Sequence, residues 1–258
     1  MELVTVITPT YNRASKLPIL FKSLLAQSSR NFLWLIVDDG STDNTEKVVH
    51  EFKKEALFSI VFLKKENGGK HTALNVGIRE IYTELTMIVD SDDILLPNAI
   101  RIIEQSHVKY KYDKSIGAFS YVRIYPNGKP ILPIEKDEET ASYIKYRIKD
   151  NRPGDMAEVF YSKVLKEFPF VMFDEEKFLS EDVVWIQIGK RYSFVFINKP
   201  IYQCEYFDDG LTANDKKVKF NSPLGSMMRG KMLMSKECGM KVNIKGAIIY
   251  NCYKLEVQ

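Results

Sequence analysis

The sequence predicts an α/β protein with a mostly parallel sheet flanked by helices, a mixed second half and a helical C-terminal appendage. Three observations lead there. In the first ninety residues, short β-branched runs alternate with segments of helical spacing, the pattern of parallel strands joined by crossover helices. The four runs each end in a polar cluster, so these clusters fall on one edge of the sheet, outside the carboxyl ends of its strands, where open sheets of this kind bind ligands. Past Asp93 the alternation stops and strand and helix patterns mix.

Taken in order, "LVTVITP" is a buried-strand run that stops at Pro9. Leu17, Leu20, Phe21, Leu24 and Leu25 then form one helical stripe. "FLWLIVDDG" is a second strand, and "STDNTEKVVHEF" supplies cap-type residues before a helix carrying Val48, Val49 and Phe52. "SIVFLKK" is a third strand, "NGGKHTALNVGIREI" a glycine turn entering a helix, and "LTMIVD" a fourth strand. Pro97 opens a helix with Ile100, Ile103 and Tyr110 inward. "IGAFSYVRIYPNGKPILPI" reads as two strands about an Asn127-Gly128 turn. "DMAEVFYS" is strand-like, "EDVVWIQIGKR" a short helix, and "YSFVFINKPIYQCEY" one or two strands. These patterns divide the chain into a half at 1–95, a second half at 96–215 and an appendage at 216–258.

Composition narrows the class. A chain of 258 residues, 45% hydrophobic and 28% charged, is ordinary globular protein long enough for a sizeable core. The net charge of +3 is too small to argue for nucleic acid. Three scattered cysteines, Cys204, Cys238 and Cys252, suit free thiols better than a disulfide framework or a zinc site. No apolar run approaches the roughly 20 residues of a membrane span. The N-terminus enters a strand directly, without the order of a signal peptide. A cytoplasmic protein is the expectation.

The acids of "MIVDSDD" pose the sharpest chemical question. Asp90, Asp92 and Asp93 lie among four residues, and nothing basic follows until Arg101. Mutual repulsion in a partly dry crevice is costly, and a hard divalent cation with oxygen ligands removes that cost. If the chain stays extended past Val89, Asp90 and Asp92 project to one side and Asp93 to the other. Two carboxylates on one side suit a metal that also grips a diphosphate. The other clusters have plainer readings: Asp38 and Asp39 before Gly40-Ser41 suit a turn and a helix cap, and Gly68-Gly69 suits a tight turn.

Together, "VTVITPTYNRASKLPILFKSLLAQ", "LIVDDGSTDNT", "NGGKHTALNVGI", "MIVDSDD" and "SEDVVW" resemble the family 2 glycosyltransferases of GT-A fold, in order, from about residue 3 to 190. The resemblance implies a nucleotide-sugar donor, most often UDP-linked, a divalent metal (Mn2+ or Mg2+), and transfer with inversion to a glycan or lipid-linked acceptor, as in cell-surface polysaccharide synthesis. It implies that Pro9, Tyr11 and Arg13 line base and ribose, that Asp39 rather than Asp38 meets the uracil, and that Asn67 and Lys70 lie near base and phosphates. Asp90, the first residue of the D-x-D, would face ribose and metal, with Ser91 beside the nucleotide, and Asp92 would ligate the metal. Asp182 matches the catalytic base and Glu181 its neighbour near the acceptor. A carboxylate within reach can take the proton of an attacking hydroxyl, although Ser180, Glu181 and Asp182 also suit a helix N-terminus. His71, Asp155 and Glu158 are candidates for donor sugar or acceptor. His50, His71 and His107 all lie upstream of the base, so a metal-ligating histidine after it, found in some relatives, has no counterpart.

From residue 216 onward, nine Lys/Arg face two acids, interleaved with methionines. A basic amphipathic element on an anionic membrane is one reading, a dimerisation or docking helix a second, and a helix packed on the body with solvated lysines a third. Two other functions compete with transfer. A sugar-phosphate nucleotidyltransferase would need a glycine-rich first loop, and "TYNRASK" has no glycine. A nucleotide-sugar-binding module that has lost catalysis would not need Asp90, Asp92 and Asp182 together.

Overall fold

The computed structural model describes residues 2–204 and 215–255. In chain order the elements are β1 (Val4–Thr10), α1 (Leu17–Leu25), β2 (Phe32–Asp38), α2 (Thr45–Glu55), β3 (Ser59–Lys64), α3 (Lys70–Glu80), β4 (Leu85–Ile88) and β5 (Ile94–Leu95). Next come α4 (Ala99–Tyr110), β6 (Ile116–Ile124), β7 (Glu138–Ala141), a π-helical turn (Ile144–Lys149), β8 (Met156–Tyr161), α5 (Ser162–Glu167), α6 (Asp182–Gly189) and β9 (Ser193–Gln203). Three helices end the chain: α7 (Asp215–Phe220), α8 (Pro223–Leu233) and α9 (Met240–Lys254).

All these strands join one sheet of order β3-β2-β1-β4-β8-β6-β9-β5, with β7 also on β9. The first four are parallel neighbours, and their β-branched runs are what a sheet covered on both faces requires. β1, β2 and β4 are buried along their whole length, whereas β3 alternates and forms the edge. α1 buries Leu17, Leu20, Phe21 and Leu24 of the predicted stripe and leaves Leu25 only partly buried, and Phe21 stacks on Trp34 and Phe52. α3 lies close on the sheet because Gly77 has no side chain: a Cβ there would stand 2.4 Å from Ile7 Cδ1 and 2.9 Å from Val37 Cγ2.

The second half reverses direction. β8 runs antiparallel to both β4 and β6, and β9 lies parallel to β6. "YSFVFINKPIYQCEY" forms the single long strand β9, with a register shift against β6 near Pro200, where the missing N–H interrupts the ladder. The hairpin expectation at Asn127-Gly128 needs correcting. The turn forms, with Gly128 at φ +79° and Tyr125 N–H bonded to Lys129 O, but its return arm makes only an isolated bridge at Pro130. Pro130 and Pro133 lack the donors that a second strand needs. The two-residue strand β5, unforeseen in the sequence, pairs with the end of β9 and so fixes where the acidic loop after β4 goes.

Candidate active site

The four β-strand ends meet through backbone and short side chains. After β1, Asn12 adopts φ +51°, accepts the Thr42 N–H on its side-chain oxygen at 2.8 Å, and donates its own backbone N–H to the Ser41 hydroxyl oxygen at 2.8 Å. Ala14 N–H donates to Asp43 and Arg13 N–H to Thr45, so the loops after β1 and β2 are tied together. Asp38 is fully buried and accepts the Ser41 N–H, a turn-forming role. Asp39 is also buried, and both its oxygens are engaged. Oδ1 accepts Lys65 Nζ at 2.7 Å and the Gly68 N–H at 3.0 Å; Oδ2 accepts Asn67 Nδ2 at 3.0 Å and the Gly69 N–H at 2.7 Å. This nest shapes the "NGGK" loop. Gly69, at φ +95°, passes so close to Lys177 that a Cβ would lie 2.0 Å from its carbonyl oxygen.

That loop delivers Lys70, the first residue of α3, into the acids. Its ammonium contacts Asp90 Oδ1 at 2.5 Å and Glu181 Oε1 at 3.0 Å. Burial works against its charge, but Asp90 and Glu181 outweigh burial and raise its pKa. Asp90 is likewise opposed by burial but held low by Lys70, Arg123 and Arg13. Asp92 lies 3.9 Å from Arg13 and is pushed up by burial and by the charge on Asp90. The chain does not stay extended here. A turn closes from Asp93 N–H to Asp90 O, and Asp93 is buried, accepting the Tyr202 hydroxyl at 2.7 Å. Burial and Asp90 push its carboxyl up to about 7, and the Arg123 guanidinium, stacked over the Tyr202 ring at 4.2 Å, partly offsets this. Internal cations and a hydrogen-bonded hydroxyl thus make the acid cluster tolerable.

Asp90 and Asp92 keep 31% and 22% of their side-chain surface exposed. As hard oxygen donors two residues apart, they fit a hard divalent ion. Among the described residues no group of three or more His, Cys, Asp or Glu gathers as a metal site.

Glu181 and Asp182 open α6 and face different cations. Glu181 pairs with Lys70, while Asp182 is gripped by Arg229 of α8. Arg229 Nε lies 2.8 Å from Oδ2 and 3.1 Å from Oδ1, its second nitrogen lies 2.7 Å from Oδ2, and Ser180 donates to Oδ1 at 2.7 Å. Of the other sequence candidates, Pro9 is buried in β1, Tyr11 is exposed, Ser91 is buried in the acidic turn, and Asn67 accepts Lys177 Nζ at 2.6 Å. His71 is 2% exposed, with Nδ1 unbonded, and burial lowers its pKa. Glu158 points among Ser120 and Arg147, 3.8 Å from the latter; Arg147 also holds the Arg152 and Gly154 carbonyls beside Asp155. Sequence reasoning missed Arg123, Tyr202, Lys65 and Arg229. None sits in a motif, and only the Lys/Arg excess of the tail hinted at the last.

Comparison with known proteins fits this arrangement. The profile described as glycosyl transferase family 2 matches residues 5–164. Glycosyltransferase GlyG of Streptococcus pneumoniae is 33% identical over 130 residues, 46% of this chain and 43% of its own length. An uncharacterized glycosyltransferase of Rickettsia conorii is 29% identical over 203 residues, 77% of this chain and 32% of its own. The chain thus spans less than half the length of these curated relatives. The crystal structure of S. aureus TarS residues 1-349 superposes with a TM-score of 0.69 at 17% identity, covering 99% of this chain and 72% of that one. Mannosyltransferase PcManGT from Pyrobaculum calidifontis gives 0.63 at 18%, covering 98% and 73%. The fold is GT-A, and with the profile covering more than half of its residues, the chain belongs to glycosyl transferase family 2.

Proposed function

We propose that this chain is an inverting glycosyltransferase that moves a sugar from a nucleotide-sugar, UDP-linked, to a hydroxyl of a glycan or lipid-linked acceptor. One observation carries the reading: Lys70 bridges the D-x-D residue Asp90 and Glu181, so the diphosphate-facing acids and the base region share one crevice. Solved relatives support the donor class, since TarS has been crystallised with UDP-GlcNAc and PcManGT with GDP-Man and Mn2+.

In this reading the Asp182 carboxylate accepts the proton of the acceptor hydroxyl as that oxygen attacks the anomeric carbon, and the bond to the diphosphate breaks on the opposite face. Oδ1 is the receiving atom, because the Arg229 guanidinium holds Oδ2 more closely and the Ser180 hydroxyl on Oδ1 can rotate away. Lys70 and Arg13 are the cations nearest the leaving diphosphate, with Lys70 free to exchange Asp90 for a phosphate oxygen. Asp92 and Asp90 would hold Mn2+ or Mg2+, which supplies Lewis-acid stabilisation of the diphosphate charge. Asp39 acts on the nucleotide through the loop it nests, with Asn67, Pro9, Tyr11 and Ser91 around the base and ribose. Asp155 and Glu158 would meet the sugar, whereas His71, buried near Asp39 and Lys65, would support the nucleotide loop from beneath.

This reading gives the tail a use as a contact surface. α9 exposes Met240, Ile244 and Ile248 at four-residue spacing and Leu255 beyond, with Lys241, Lys245 and Lys254 alongside. Such a stripe suits an anionic lipid surface carrying the acceptor.

The test is thermal melting with UDP, GDP, CDP or TDP, in Mn2+ or in EDTA. At about 100 times its dissociation constant a ligand adds roughly 2.7 kcal/mol, about 5–10 °C in a chain of this size. A shift with UDP that disappears in EDTA and in Asp92→Ala is expected. Equal melting with every nucleotide would refute the donor site. Pyrophosphate release from UTP and a sugar phosphate would instead indicate a nucleotidyltransferase, and a UDP shift without turnover of any donor a binding module.

A further inference from the structure

We infer that Arg229, on a helix beyond the family profile, is the positioning residue for Asp182, so that α8 forms part of the catalytic centre. This rests on the assignment of Asp182 as base. An acid at the first position of a helix ordinarily serves the free N–H groups of the first turn. Asp182 does not: the N–H groups of Val183, Val184 and Trp185 go to the carbonyls of Ser180 and Glu181. Its carboxylate is turned instead to Ser180 and Arg229, half-buried beside the Lys70–Glu181 pair. A planar guanidinium fixes the plane of a carboxylate as a point charge cannot.

The fork itself is held from three directions. Glu176 caps α8, accepting the Leu224 N–H at 2.6 Å and the Gly225 N–H at 2.8 Å. Gly225 lets α8 approach the base loop, since a Cβ there would lie 2.7 Å from Phe178 O. Gly230, the next residue after Arg229, crosses Gly246 of α9 so closely that a Cβ on Gly246 would lie 2.7 Å from Gly230 O. A surface ion pair needs none of this. Fixing an attacking geometry to a fraction of an ångström does.

The test measures UDP or GDP release from UDP-GlcNAc, UDP-glucose, UDP-galactose and GDP-mannose, with water as acceptor. It compares wild type, Arg229→Gln, Arg229→Lys, Arg229→Ala and Asp182→Asn. Expected are a loss in kcat of about 10–100-fold in Arg229→Gln, the range for outer-shell partners, with KM for the sugar nucleotide and the melting shift with UDP and Mn2+ retained. Arg229→Lys should recover only part of the rate, and methylguanidinium should restore Arg229→Ala. An unchanged or raised kcat in Arg229→Gln, with Asp182→Asn inactive, overturns the inference and leaves the base assignment standing. Turnover in Asp182→Asn overturns both. Independently of turnover, the double variant Arg229→Gln/Asp182→Asn should melt higher than the sum of the single losses requires, and strict additivity overturns the pairing.

Discussion

Lys70 shows how much one side chain settles. Its ammonium stands between Asp90 and Glu181, so acids that repel one another in the sequence become a balanced set in the fold. Replacing it by methionine keeps the stem but leaves the two carboxylates facing each other without their shared cation. Truncating one partner of such a set costs on the order of 3 kcal/mol, and urea unfolding of Lys70→Met checks it. Glu158 makes a separate, pH-dependent statement. Burial pushes its carboxyl up to about 7, Arg147 and Arg123 pull it down, and Asp155 and Glu181 add to the rise. In the unfolded chain it titrates near 4.5. The folded state therefore holds the proton longer, so this group's contribution to stability is full below about pH 4.5 and lost as the pH rises through about 7. Glu158→Gln should gain in Tm relative to wild type between about pH 5 and pH 8, and melting curves that stay parallel across that range would refute it.

At the scale of elements, two short segments govern the crevice. The "NGGK" loop depends on a residue without a Cβ at a left-handed φ, so Gly69→Ala adds backbone strain to a clash with the Lys177 carbonyl. A cost of about 2–4 kcal/mol is expected, together with loss of the UDP melting shift, because Gly68 and Gly69 N–H no longer converge on Asp39. The start of α8 depends on Glu176, the one carboxylate seen to take its first N–H groups among the described residues. Glu176→Ala should cost about 1–2 kcal/mol by urea unfolding and lower turnover through Arg229, with nucleotide binding intact. The failed hairpin arm after Asn127-Gly128 belongs here too. A turn signal predicts a reversal, but ladder formation needs donors that Pro130 and Pro133 do not have.

For the whole molecule, four parallel strands continue through antiparallel β8 into β6, β9 and β5 as one sheet, and the tail joins this body where α8 packs on α6. α8 packs inward through Leu233, Met228 and Met232, while α9 buries only Gly246 and leaves an apolar stripe facing outward. No helix among the described residues is long and apolar enough to cross a membrane. Peripheral contact is the expected use of the stripe: the protein should float with vesicles of phosphatidylcholine and phosphatidylglycerol, less so at high salt, and Ile244→Asp with Ile248→Asp should abolish flotation. Wild-type protein that stays with the unbound fraction at low salt would remove the lipid surface from the proposed function.

The sequence by itself determined the parallel half, the order of its strands and helices, and the collection of polar clusters at one edge. These follow from local patterns: β-branched runs, a stripe at helical spacing, turn and cap residues where each run stops. The family could be read from five motifs in order for the same reason, since each motif is one contiguous stretch of chain around the end of a strand or the start of a helix. Only the tertiary structure decided what those acids touch. Asp93 turns inward because β5 pairs with β9 and brings Tyr202 to it across 109 residues of chain. Asp182 meets Arg229 across 47 residues because the Glu176 cap and the Gly225 approach bring α8 to the segment that leads into α6. Partners so far apart leave no periodicity or spacing between them, and side-chain direction is fixed only when the elements pack.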